Sequence, residues 1–363
     1  MAISIYYLLF LIPSLLVIGL GPYLNKNAKY FFFILYSLFL TFFIGLRYEI
    51  GGDWYAYLSY YEFYSNLSFS EFIENLMMYD PLYVLINYIA GKIGGGIYLV
   101  NTIEAFIFIY GYTKFSLKQK KSFLAFLIGI PYLVIVVSMG YTRQAMAIGF
   151  IFLVYNALID GKFLKASILN LFAVLSHKTA IIIYLIIFAT FIFSDVSKRN
   201  KIFYLGLLFI FSLSSFSFFF LPYAEKLLQN YIINEMKSEG GFARILMNLI
   251  PSLIFLIFYK KMKNTTPYEN KIWLIISFAT IITSSLQYLG YSTVADRINL
   301  YFSSIQMSVY GKFIDLIKYK DLRIVLTLSL VLVYFLTLFV WLNFAVHRDY
   351  WIPYKNLLFE LLK

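Results

Sequence analysis

Cysteine is absent from this 363-residue chain, and histidine occurs twice. The first absence excludes disulfides and thiolate chemistry. The two together argue against a catalytic zinc centre. Charge is scarce: only 13% of residues are Asp, Glu, Lys or Arg, about half the share of an ordinary globular domain. No stretch between the apolar runs is long enough for a separate soluble domain. There is no low-complexity linker and no polybasic tail, and the lack of an obvious internal repeat weighs against inverted-repeat transporters. Walker A, HExxH and GxSxG motifs are missing, and no metal site or cofactor is indicated, although a carboxylate-bound Mg²⁺ stays open. The N-terminus lacks the basic region and small-residue cleavage site of a signal peptide, so it reads as a first transmembrane helix.

What is present is apolar. The chain is 61% hydrophobic with a mean hydropathy of +0.78, and it carries 39 Phe and 34 Tyr, a load that suits lipid-facing surfaces and interfacial belts. The expected fold class is an all-α polytopic membrane protein, one transmembrane domain over residues 1–363. A bilayer core about 30 Å thick needs roughly 20 helical residues. Runs near that length fall at 3–20, 30–46, 97–113, 122–139, 143–159, 163–177, 178–193, 202–221, 244–259, 272–289, 297–311 and 324–344, about twelve helices.

The loops orient this map. Alternate connections carry lysine and arginine: Lys26 and Lys29, then the 114–121 lysines, Lys162 and Lys165, the 198–201 cluster, Lys260 through Lys271, and Lys312 through Arg323. All fall on one side, which the positive-inside rule makes cytoplasmic. The formal net charge of +12 therefore reflects topology and not nucleic-acid binding. The outer loop 47–96 is acidic in its first half, and both termini face outward. Keeping this alternation requires the apolar segment 81–93 to be an interfacial or re-entrant helix, ended by Gly94, Gly95 and Gly96, rather than a full crossing. The tail 347–363 is expected along the outer interface.

Ionisable groups at membrane depth are costly and mark functional positions. Arg47, Glu49 and Asp53 follow the second span; Arg143, Arg244 and Arg297 each begin a helix that runs inward; His177 and Lys178 sit at the outer turn of a short hairpin. In this topology all lie near the outer leaflet. Planar guanidiniums at helix N-termini would cradle a diphosphate headgroup whose lipid tail stays in the bilayer. Each has a plainer reading. Arg47 would pair with Glu49 or Asp53, Asp296 with Arg297, Lys178 would snorkel, and Gly51-Gly52-Asp53 would be a tight turn. Glu104, within a span, would hydrogen-bond a neighbouring helix.

The motifs, taken in order, resemble the EpsG-like family of Wzy-type bacterial surface-polysaccharide polymerases. The matching stretches are Gly45 through Tyr55 (with Arg47, Gly51-Gly52 and Asp53), Tyr141-Thr142-Arg143-Gln144-Ala145, Phe172 through Ala180 around His177, and more loosely Arg297 through Phe302. The resemblance implies a glycosyltransferase with a fold related to the GT-C class, in the bacterial cytoplasmic membrane, with its site on the outer face. Its substrate would be an undecaprenyl-diphosphate-linked oligosaccharide of capsule, O-antigen or exopolysaccharide, and a chain-length regulator of the Wzz type would be its protein partner. Under that reading Arg47, Arg143, Arg244, Arg297 and Lys178 hold the diphosphate, and His177, Asp53 or Glu49 takes the proton of the acceptor hydroxyl. A lipid-linked oligosaccharide flippase, and an O-antigen ligase or acyltransferase on the same carrier, are the alternatives.

Overall fold

The computed structural model describes residues 3–194, 198–221, 238–262 and 266–361. Lys263 of the charged loop lies outside them. Among the described residues every regular element is helical, and the one isolated β-bridge joins Arg47 to Asn356. Six helices are long and apolar enough to cross a membrane: α1 (Ser4–Tyr23), α2 (Lys26–Gly45), and four others, Ser122–Gly140, Thr142–Ile159, Gly241–Phe258 and Lys320–Phe344. All six coincide with expected spans. The expected span at 97–113 lies inside the long helix Gly96–Lys118, and that at 272–289 falls on Pro267–Tyr288, which ends one residue short of it. The runs at 163–177 and 178–193 correspond to short apolar helices.

The chain divides into two compact units. The first comprises residues 1–149 and 317–363, the second 150–316. In the first, α1 and α2 are followed by α3 (Trp54–Ser65), α4 (Phe69–Met78), α5 (Pro81–Lys92), α6 (Gly96–Lys118) and α7 (Ser122–Gly140). The unit includes the start of α8 (Thr142–Ile159). The Asn25 side chain caps α2 by accepting from Ala28 N at 2.8 Å, and Ser68 and Glu71 form a capping box that starts α4. Helix α5 ends where expected: Gly94 adopts φ +71° and Gly95 N donates to Ala90 O at 2.9 Å, a left-handed stop that favours glycine. Helix α7 is almost wholly buried, and its middle turns are widened into a π-type segment around Pro131, which has no N–H to offer the helix. Helices α6 and α8 touch backbone to backbone where Gly111 meets Gly149, and a Cβ on either would collide with the other helix.

The tail, expected along the outer interface, is held by the protein itself. After Lys320–Phe344 the chain turns back and pairs with the loop that follows α2: Tyr48 N donates to Lys355 O, Leu357 N to Leu46 O and Gly51 N to Tyr350 O, at 2.8–3.0 Å. Trp351 is buried, donating from Nε1 to Ile135 O at 2.9 Å and accepting from the Tyr6 hydroxyl at its carbonyl. Tyr354 stacks on Phe43 with ring centres 4.0 Å apart. Trp351 and Tyr354 anchor the tail as a strap over the first unit.

In the second unit, α9 (Phe163–Ser176), α10 (Lys178–Ile192) and α11 (Lys198–Ser215) precede α12 (Gly241–Phe258), α13 (Pro267–Tyr288), α14 (Ser292–Tyr301) and α15 (Ser304–Leu316). The expected span 297–311 is therefore not one helix. It breaks at Phe302 and Ser303, where tighter backbone bonds such as Phe302 N to Asn299 O and Ile305 N to Phe302 O, both 3.0 Å, take over; Asn248 Nδ2 also donates to Asn299 O at 2.6 Å, and Gln306 Nε2 donates to Asn248 Oδ1 at 2.6 Å. A broken helix in apolar surroundings persists only when its freed polar groups are met this way. α16 is Lys320–Phe344, in the first unit, and α17 (Leu357–Leu361) closes the chain.

Candidate functional site

The loop after α2 is held open by backbone strain and by the tail. Glu49 takes φ +50°, unusual for a residue with a side chain. Gly51 sits at φ +106°, and a Cβ there would strike the Met139 carbonyl. Arg47 is only 1% exposed. Its guanidinium donates to Ile44 O at 2.8 Å, Ile50 O at 3.2 Å and Asn101 Oδ1 at 3.2 Å, and lies 5.6 Å from the Trp54 ring. Burial pulls its pKa down from the ordinary arginine value to about 10, with Glu104 foremost among the groups that oppose the shift, so it stays cationic at neutral pH. Glu49 does not pair with it. Glu49 accepts from Lys355 Nζ at 2.6 Å and from the Tyr55 hydroxyl at 3.2 Å. The Lys355 bond, opposed in part by desolvation, holds its carboxyl below the usual carboxylate range. Asp53 is exposed at the start of α3, where it offers no side-chain cap.

Arg143, the second residue of α8, points into a ring of tyrosines. Its guanidinium carbon lies 5.4 Å from the Tyr83 ring centre, 5.6 Å from Tyr60 and 5.7 Å from Tyr57, and Nη1 donates to Asp80 Oδ2 at 2.9 Å. Asp80 precedes Pro81 at the start of α5, where an aspartate ordinarily caps its own helix; it makes no such bond and turns its carboxylate to Arg143. The tyrosine faces stabilise a guanidinium without neutralising it. Burial pushes the Tyr57 phenol up, and the Arg143 charge opposes that rise. Three aromatic rings and a fixed carboxylate surround this cation, and the side chain keeps 29% of its surface open.

The second unit holds the remaining cations. Arg244 at the start of α12 forms a two-pronged pair with Asp296 of α14, Nε to Oδ1 and Nη2 to Oδ2, both at 2.8 Å, and the Ser238 hydroxyl bonds both partners at 2.7 Å. Asp296 thus belongs to Arg244 and not, as expected, to its neighbour Arg297, which is half-buried on α14. His177 is a single extended residue between α9 and α10, at φ −158°, with its N–H bonded to Ala173 O and its carbonyl accepting from Ala180 N, both at 2.9 Å. Lys178 is buried and does not snorkel. Beside it, the Thr179 hydroxyl bonds the Tyr301 hydroxyl at 2.6 Å, which ties this turn to α14.

Two carboxylates went unassigned to the site by sequence. Asp80 carried a signal only as a residue before proline, which reads as a helix start. Glu104 stood out as a charge within a span; it is buried, and neither oxygen has a close hydrogen-bond partner among the described residues. The charges of Arg47 and Arg143 and the Thr142 hydroxyl act on it.

Six helices long and apolar enough to cross a bilayer define the class, a polytopic membrane protein. The chain belongs to the EpsG family, which it matches over residues 29–356. No curated protein and no solved structure matches it. The match confirms the resemblance drawn from the motifs around Arg47, Arg143 and His177, since it covers all three.

Proposed function

We propose that this protein polymerises oligosaccharide repeat units carried on undecaprenyl diphosphate, at the outer face of the bacterial cytoplasmic membrane, through about twelve crossings in a GT-C-like arrangement. Membership of the EpsG family supports a polysaccharide polymerase in general. The observation that carries the finer reading is the Arg143 cage: a guanidinium backed by three tyrosine rings, tied at one nitrogen to Asp80 and otherwise partly open. Such a cation suits an anionic group that arrives and leaves, because the rings hold it in place whether or not the anion is bound.

In the proposed reaction an acceptor sugar hydroxyl attacks the anomeric carbon of the growing chain. The bond from that carbon to the diphosphate oxygen breaks, lipid diphosphate departs with the electron pair, and the hydroxyl proton passes to a base. The lipid diphosphate is already an activated leaving group, so no nucleotide motif is needed. Arg143 would stabilise the developing negative charge. Arg244, committed to Asp296, and Arg47, committed to three acceptors, would serve by holding their surroundings. His177 is the proposed base because its reference pKa of about 6.5 suits neutral pH. Asp53 stands next, and Glu49, held by Lys355, is the poorest acceptor of the three. A chain-length regulator is the proposed protein partner.

The test is incubation of the purified protein with defined lipid-linked repeats, with a chelator arm for metal dependence. A ladder of polymer is expected. Transfer of a single unit, or transbilayer movement without elongation, would replace this reading with a ligase or a flippase.

A further inference from the structure

The buried carboxylate of Glu104 has no part in the reaction proposed above, yet its setting is unusual. It lies on α6, which packs against α2, α3, α5 and α7. Just beyond the end of α2 stands Arg47; α3 contributes Tyr57, α5 Tyr83 and the start of α8 Thr142 and Arg143, all of which interact with the carboxylate or are biased by it. Helix α7 carries no charged residue. The carboxylate is 3% exposed, and neither oxygen nor the Thr142 hydroxyl has a close hydrogen-bond partner among the described residues. Burial disfavours the ionised carboxylate, and the Thr142 hydroxyl and the two guanidiniums oppose that cost.

The local charges decide what this does. Arg47 and Arg143 contribute two positive charges, Asp80 one negative charge, and Glu104 a second negative charge only when it is ionised. With Glu104 ionised the cluster is neutral. With Glu104 protonated it carries one net positive charge. An arriving diphosphate repels the ionised carboxylate and favours its protonated form. By linkage, a protonated Glu104 favours the diphosphate to the same degree.

We propose that Glu104 is a positioning residue whose protonation is coupled to diphosphate binding at Arg143, so that the site takes up a proton when the lipid headgroup docks and returns it when lipid diphosphate leaves. The proposal rests on the diphosphate reading of Arg143. It adds a proton-linked control of headgroup affinity, separate from the acceptor's own base.

The test uses full-length protein in nanodiscs and titration calorimetry with a short isoprenyl diphosphate, with inorganic pyrophosphate in a parallel arm to separate headgroup from lipid recognition. Measurements run from pH 5.5 to 8.5 in paired buffers of different ionisation enthalpy. At pH 8, where the probe is fully ionised, wild-type protein is expected to take up a substantial fraction of one proton per diphosphate bound. Glu104→Gln is expected to abolish that uptake and to bind severalfold more tightly at that pH, within the roughly tenfold limit that one pKa unit of coupling sets. Glu104→Asp should restore the uptake. Equal proton uptake in wild type and Glu104→Gln would overturn the coupling while leaving the diphosphate site standing. Should Glu104→Gln fail to fold, wild-type uptake alone decides, and none at pH 8 overturns the proposal. If wild type binds neither probe, or Arg143→Ala binds as well as wild type, the diphosphate reading itself fails and this proposal with it.

Discussion

Arg143 Nη1 and Asp80 Oδ2 stand 2.9 Å apart, joining the first turn of α8 to the first turn of α5. Asp80 gives up capping its own helix to make this contact. The guanidinium is thereby held in one orientation among three tyrosines before any substrate arrives, and preorganisation of this kind is what makes a charged site effective in a transition state.

Replacing Arg143 tests that arrangement. Arg143→Ala should abolish long-chain polysaccharide while leaving membrane insertion intact. Arg143→Lys keeps the charge but loses the planar fork, and it should retain only a small fraction of activity. Polymer length on gels, beside protein level in membranes, reads both. Asp80→Asn should keep the protein folded and lower polymerisation by loosening the arginine.

The Arg244–Asp296 pair separates a structural role from a ligand-binding one. Removing one partner of a buried pair leaves the other uncompensated, at a cost of about 3–5 kcal/mol. Arg244→Ala should therefore lower the melting temperature in detergent, and Arg244→Ala with Asp296→Asn should recover most of the loss. If polymerisation returns with stability in the double variant, Arg244 acts by holding α12 to α14. If stability returns and activity does not, the arginine contacts substrate.

Gly51 marks the strained loop. At φ +106° with the Met139 carbonyl against it, Gly51→Ala should destabilise by about 1–3 kcal/mol and displace the 46–51 backbone from the tail. Gly52→Ala, which meets open surroundings apart from the Tyr350 ring edge, is the control and should melt close to wild type.

The Glu49–Lys355 pair predicts a pH dependence confined to the tail. Glu49 is held below the usual carboxylate range, so its stabilising effect is present above the unfolded value near 4.3 and is lost as pH falls through the lower folded value. Lys355 is raised, chiefly by the same hydrogen bond, so its effect is present below the unfolded value near 10.4 and is lost as pH rises through the folded one. Proteolysis at the 345–356 strap should therefore be slowest between those limits. Lys355→Gln should remove the dependence at the alkaline end and weaken it at the acid end, where the Tyr48 and Tyr55 hydroxyls still hold Glu49. An unchanged profile in that variant would mean that the pair does not hold the strap.

What could be read from the sequence follows from the range of each signal. Hydrophobic run length depends on neighbours in the chain, and α1, α2, α7, α8, α12 and α16 fell where it put them. The stop at Gly94 was legible for the same reason. The break at Phe302 and Ser303 was not, because the side chain that braces it, Asn248 on Asn299 O, lies more than fifty residues earlier. Trp351 and Tyr354 read as interfacial aromatics, since nothing nearby in sequence announces that Ile135, Tyr6 and Phe43 receive them. Arg47, Arg143 and His177 were recognisable as motifs, whereas the partners that tune the arginines, Asp80, Glu104 and the three tyrosines, come from separate helices and become apparent only in the fold.

The most direct measurement is polymer length from purified protein given defined undecaprenyl-diphosphate-linked repeats, comparing wild type with Arg143→Ala and His177→Ala at equal, folded protein. A ladder from wild type and unextended substrate from both variants is the predicted result. Wild-type ladders from Arg143→Ala would contradict the central claim that this guanidinium carries the lipid diphosphate through the transfer.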